Sequence, residues 1–197
     1  MIAWQVQSLL LGYPDEELLG RRPVLRAAVP KLPAPIAAPL HGFLDHLDRT
    51  PLPALTADYV ATFDHGKRHS LYLTYFSYGD TRKRGMALLR FKHAYRTAGL
   101  ELGAGELPDH LAVVLEFAAM EPAAGRRLLI EQRAGLELLR LGLREIGSPW
   151  AGVLNSVSAT LPPLAGRDRD AVARLAASGP PEEEVGLEPF APLGGPR

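Results

Sequence analysis

Leu111, Val114, Leu115 and Ala118 recur at i, i+3, i+4 and i+7, the spacing that puts apolar side chains on one buried face of an α-helix. Stripes of this kind recur along the chain between prolines that punctuate them. Leu, Ala, Arg and Glu dominate and β-branched residues are sparse, which favours helices over strands. Ala3 to Leu11 reads as a short apolar helix stopped by Gly12-Tyr13-Pro14, with a short piece after Asp15. Four prolines between Pro30 and Pro39 delay a continuous helix, after which Phe43, Leu44 and Leu47 share a face. Asp58 to Asp64 reads as the end of another helix, with Tyr59, Val60 and Phe63 as its apolar members. Ser70 to Tyr78 fits a strand or a buried helix; with no partner strand visible in the sequence, it is read as helix. Asp80 should cap a helix from Thr81 to about Ala98, with Leu88, Leu89, Phe91 and Tyr95 inward and Gly99 ending it. Pro108 suits a first helical residue. Pro122 opens the next helix, carrying Leu128, Leu129, Gln132, Leu136, Leu139 and Leu143. Ser148-Pro149-Trp150 opens another, and Arg167 to Ala177 is a last amphipathic piece. The expected fold is all-α, a single compact helical domain of about eight or nine helices over residues 1–177. Residues 178–197 read as a flexible tail rich in Pro, Gly and Glu. Within it, Leu187, Pro189 and Phe190 offer a short apolar clip.

The chain has 197 residues and no cysteine. Disulfides, zinc ribbons, iron–sulfur clusters and thiol catalysis are thereby excluded. Its 22 Lys+Arg balance 22 Asp+Glu, which argues against non-specific coating of nucleic acid. No segment approaches the roughly 18 apolar residues of a membrane span, and the first residues lack the basic region of a signal peptide. The expected location is the cytoplasm.

The unusual chemistry lies between Tyr59 and Gly85. Six of the fourteen aromatic residues fall between Tyr59 and Tyr78, interleaved with charges a core would avoid. Tyrosine, with a polar tip on an apolar body, suits a recognition surface; tyrosines at the rim of a core helix are the competing explanation. Arg82, Lys83 and Arg84 oppose the dipole in the first turn of their helix, so they pair with carboxylates of the fold or await an anionic partner. Asp64, His65 and His69 could seat a metal on one turn and support a metal-dependent hydrolase, but no third ligand is identifiable and Gly66 weakens the turn. The Arg82–Arg84 patch with the tyrosines could serve a nucleic-acid adaptor, against which zero net charge weighs. Asp109 would favour the dipole at the start of its helix, with His110 facing solvent or a groove.

FDHGKRHSLYLTYFSYGDTRKRG, followed some twenty residues later by ELPDHLAVVLEF, resembles the NarJ-type chaperones, the molybdenum-cofactor assembly chaperones of respiratory nitrate reductase. LLLGYPDEEL and LPPLAGRDRDAVARLAASGPPEEEVGLEPF match the same family, so the resemblance spans nearly the whole chain; only Arg21 to Pro53 falls outside it. It implies an all-helical protein of the TorD/DMSO-reductase-chaperone superfamily that binds without catalysing and needs no cofactor. The implied partner is the N-terminal peptide of the catalytic alpha subunit, held until cofactor insertion and before membrane docking. A monomer or weak dimer, without nucleic acid or stable membrane insertion, is expected. Carried over by position, the peptide-binding surface would include Tyr59, Asp64, His69, Tyr72, Tyr75, Gly79, Asp80, Arg82, Arg84 and Gly85. Pro108, Asp109, His110, Leu115 and Glu116 would complete it, with the tyrosines and Leu115 taking apolar anchors.

Overall fold

The computed structural model describes residues 1–64, 67–103 and 105–178. The expected boundary after Ala177 falls at the edge of this range, and residues 179–197 lie outside it. Among the described residues the protein is built of twelve α-helices and two short 3₁₀ turns. The all-α expectation holds. The higher count comes from short pieces, too brief to show a period, and from one long stripe that is two helices.

The chain starts with α1 (Ile2–Leu11), α2 (Glu16–Gly20) and α3 (Arg22–Ala28). Asp15 caps α2, its carboxylate accepting the Leu18 N–H at 2.8 Å, a normal N-cap function for aspartate. The proline-rich stretch does not delay helix for long: α4 runs Ala34–Arg49, with Pro35 in its first turn and Pro39 inside. The Pro39 nitrogen would have bonded the first-turn carbonyl of Pro35, so only one bond is lost near the helix start. Ala37, Leu40, Phe43, Leu44 and Leu47 form its buried stripe. α5 follows (Leu52–Phe63), burying Leu55, Tyr59 and Phe63.

Residues 70–78 divide between the two conformations they suggested. Leu71 to Leu73 are extended and Tyr72 pairs antiparallel with His110; Leu73 N–H donates to Asp109 O at 3.1 Å and Leu111 N–H to Leu71 O at 2.8 Å. Only Tyr75–Tyr78 are helical, as α6. The missing strand partner is two residues of a loop 38 positions on, which has no alternation to announce it.

α7 spans Arg82–Thr97 with Thr81 as N-cap; Asp80 does not cap it but pairs with Arg84. Its buried stripe is Ala87, Phe91 and Tyr95, with Leu88 half-buried and Leu89 exposed. Gly99 ends it at φ 73°, with Leu100 N–H returning to Tyr95 O and Gly99 N–H to Arg96 O, a Schellman turn.

α8 covers Leu111–Met120 and begins three residues later than Pro108, with His110 as N-cap. α9 (Pro122–Glu131) and α10 (Arg133–Glu145) are separated at Gln132. α11 (Trp150–Ala159) and α12 (Gly166–Ser178) complete the domain. α1 packs on α8 and α11, α4 lies along α11, and α10 carries α12 on its outer side. The core runs through Trp4, Leu11, Leu40, Val114, Leu115, Leu139, Trp150 and Val153. Polar ties fix the helix registers: Gln7 Nε2 donates to Ser156 Oγ at 2.8 Å, and Ser156 Oγ to Ile36 O at 2.7 Å. Buried Glu137 accepts from Arg140, Ser158 and Arg133 at 2.6, 2.7 and 2.9 Å. That network locks α10 to α11.

Candidate functional site

The end of α1 and the start of α2 face α8 across a groove of about 480 Å³. Gly12-Tyr13-Pro14 stops α1, and the turn leaves Tyr13 standing clear of the surface at 58% exposure. Leu9, Leu18, Ala112 and Val113 line the groove, and Leu107 with Gly105 and Glu106 forms one lip. Tyr59, Tyr72 and His110 close the inner end, while Asp15, Glu17, Glu106 and Glu116 supply four carboxylates. Arg21 also lines it and is ion-paired with Glu17. The site is a half-apolar trough with aromatic walls and a negative lining.

Tyr59 is fixed rather than free. Its hydroxyl donates to Leu11 O at 3.0 Å and its ring stands edge-on to Tyr13 and Trp150. Burial raises its pKa, so it stays a neutral donor. Tyr72 stands 36% exposed, edge-on to His110 with 5.4 Å between ring centroids. The Arg84 guanidinium lies over the Tyr72 ring, 5.4 Å from its centroid, a cation–π contact. Burial lowers the His110 pKa, while Asp109 and Glu106 act weakly against it.

Behind this wall lies a polar knot. Asp109, fully buried, accepts from Thr74 Oγ1 at 2.5 Å and from Thr74 N–H at 3.2 Å. Arg84 Nη2 lies 3.7 Å from the same carboxylate, Arg84 Nε donates to Thr74 Oγ1 at 3.3 Å, and its Nη1 donates to Asp80 at 3.3 Å. A buried carboxylate needs such donors. Asp109 therefore precedes α8 instead of sitting in its first turn, and it holds the Tyr72–His110 bridge in place. Pro108 accepts the Tyr95 hydroxyl at 2.6 Å through its carbonyl.

Of the sequence-derived residues, Tyr59, Tyr72, His110 and Glu116 line the groove, and Asp80, Arg84, Pro108 and Asp109 stand behind it. Leu115 is fully buried with Val114 in the core and presents no surface to a ligand. Because α8 begins at Leu111, the groove sees Ala112, Val113 and Glu116 instead. Tyr75 is buried on α6, and Gly79 ends α6 at φ 55°. Arg82 and Gly85 are exposed on the first turn of α7, away from the groove. Asp64 follows α5, and His69 lies in the 3₁₀ turn Lys67–His69 with its ring against Gly142 of α10. His65, the middle member of the suggested metal trio, lies outside the described residues. Among the described residues no group of three or more His, Asp or Glu is placed to hold a metal ion.

The α1–α2 residues Leu9, Tyr13, Asp15, Glu17 and Leu18 were missed as site residues. Their signal was present in LLLGYPDEEL, where an aromatic and three acids follow a helix stop. Among the described residues no helix is long and apolar enough to cross a membrane.

Residues 29–156 match the family model for the nitrate reductase delta subunit. That span takes in most of the proline-rich stretch which the sequence resemblance left out. The chain is 42% identical over 161 residues to the nitrate reductase-like protein NarX of Mycobacterium tuberculosis, covering 81% of this chain but 24% of that protein. It is 35% identical over 162 residues to a Bacillus subtilis protein named as a candidate nitrate reductase molybdenum cofactor assembly chaperone, NarJ, covering 81% of this chain and 88% of the relative. A candidate redox enzyme maturation protein from Archaeoglobus fulgidus has the same fold, with a TM-score of 0.58 at 25% identity over 89% of this chain and 94% of the other. With the matched span reaching from Val29, just before α4, into α11, the chain belongs to the nitrate reductase delta subunit family, that of the NarJ-type chaperones.

Proposed function

We propose that this protein is a system-specific chaperone of respiratory nitrate reductase that binds, and does not catalyse. Its ligand is the N-terminal segment of the catalytic alpha subunit, held while the molybdenum cofactor is inserted and before the complex docks at the membrane. The observation that carries this reading is the groove between α1–α2 and α8. It exposes Tyr13, Tyr72 and Leu107 beside an apolar floor and surrounds them with four carboxylates. An amphipathic helix with apolar anchors and basic flanks complements that surface. Tyr72 and Tyr13 take the anchors; Glu106 and Glu116 fix the orientation. The relatives named as cofactor-assembly chaperones support the choice of partner.

Calorimetry with the alpha-subunit N-terminal peptide tests this. Tyr72→Ala removes an exposed aromatic anchor and should weaken binding by about 2 kcal/mol, near thirtyfold, at an unchanged melting temperature. Glu116→Lys should weaken a basic peptide and spare its charge-neutral analogue. Arg84→Ala is a poor probe, because it also unpairs buried Asp109. Undiminished peptide affinity in both Tyr72→Ala and Glu116→Lys places the site elsewhere.

A further inference from the structure

On a different face, residues of α7 and α9 line a shallow cleft of about 380 Å³. Its apolar lining is Met86, Leu89, Ala94 and Leu128, with Arg90 and Arg127 at its margins. Met86 is 68% and Leu89 50% exposed, and their i, i+3 spacing makes them neighbours on the helix surface. The whole of α7 carries four arginines, two lysines and a histidine, and no acidic residue. Glu131 is the one acid lining the cleft, and it is paired with Arg90 at 3.4 Å. A chain of zero net charge has thus placed a basic, apolar surface here, apart from the carboxylate-lined groove.

The sequence also holds a segment of opposite character. Residues 179–197 contain Glu182, Glu183, Glu184 and Glu188 against the single Arg197, with Val185, Leu187 and Phe190 among them. Fully extended, these 19 residues reach about 60 Å from Ser178. A compact body the size of the described domain has a radius of gyration of about 16 Å, so the segment can reach any face. Charge selects among them. The groove repels four more carboxylates, whereas the α7–α9 cleft offers arginines around an apolar floor.

We propose that the 179–197 segment docks on the α7–α9 cleft, Leu187 and Phe190 covering Met86 and Leu89 while Glu182 to Glu184 meet Arg90 and Arg127. The attachment at Ser178 supplies a high local concentration, so weak contacts suffice.

The absence of native cysteine gives a clean test in the full chain. Met86→Cys combined with Ala191→Cys introduces one pair, whose disulfide formation under mild oxidant reports docking. Glu182→Gln, Glu183→Gln and Glu184→Gln together should slow cross-linking about fivefold, the scale of a few exposed ion pairs. Salt at about 0.5 M should do the same, since exposed pairs are screened. Arg90→Glu with Arg127→Glu should also slow it, and combining that pair with Glu182→Lys, Glu183→Lys and Glu184→Lys should restore the rate. A cross-linking rate indifferent to all these charge changes overturns the proposal. So does failure of the charge swap to restore it. If, in addition, vesicles of phosphatidylglycerol bind the parent chain as well as the triple Gln chain, the face belongs to an external anionic surface.

Discussion

Asp109 shows how one side chain can do more for a site from behind it than within it. Its carboxylate collects Thr74 and Arg84 and so fixes the extended residues that present Tyr72. Asp109→Ala leaves those donors buried without their partner, a loss of about 3–5 kcal/mol. Calorimetry should show the melting point falling by about 10 °C, and a drop under about 2 °C rejects the role. Asp109-His110 stood out in the sequence, but a helix placed from Pro108 put the acid in an exposed first turn. Three residues of displacement exchanged a capping acid for a buried one, and local sequence carries no mark of that. His110 adds a pH dependence. Burial makes the folded imidazole harder to protonate than the unfolded one, which takes up a proton near pH 6.5. Below that pH the unfolded chain binds more protons, so stability is full above it and falls as pH drops further. His46, whose pKa is also lowered by burial, acts in the same direction. Urea titrations at pH 7.5 and 5.5 should show lower stability at the acid value, with a smaller difference in His110→Gln.

The elements that sequence revealed best are those with a sustained stripe. α8 buries the residues its period indicated, because it lies between α1 and α9 and has one unambiguous inward face. α7 was legible in extent and, save at Leu89, in face: Phe91 and Tyr95 claim the core, and Leu89 faces out. Glycines separate two kinds of helix surface here. At Gly125 in α9 an added Cβ would lie 2.2 Å from Ala118 Cα, backbone of α8 that cannot yield. Gly125→Ala should therefore force α8 and α9 apart and cost about 1–3 kcal/mol, as overpacking does. Gly85 in α7 meets nothing within 4 Å, and Gly85→Ala should stabilise by about 0.5–1 kcal/mol through helix propensity. Chemical denaturation of the two variants should move the midpoint in opposite directions, and movement in the same direction contradicts the packing described.

Across the whole molecule, the groove joins residues 8–21, Tyr59, Tyr72 and 105–116. No window of sequence holds them together, which is why the tyrosine-rich segment was visible and its α1–α2 partner was not. The core formed by the described residues is one continuous cluster from Trp4 to Leu161, and ion pairs on an exposed face add little. Ending the chain after Ser178 should thus leave the melting temperature within about 2 °C of the parent; a larger loss makes residues 179–197 part of the core. The bridge between Tyr72 and His110 has a further consequence at this scale. Two backbone hydrogen bonds pin both ends of residues 74–108 to the body of the protein. The segment between them, α7 included, closes on itself at that crossing while Phe76, Phe91 and Tyr95 pack it into the core. Such a loop opens only by withdrawing those rings, which ties its opening to that of the core. It can also gain or lose residues at the small entropic increment that loop length carries. Length variation among relatives therefore has a place to accumulate here without displacing the aromatic wall anchored at the crossing.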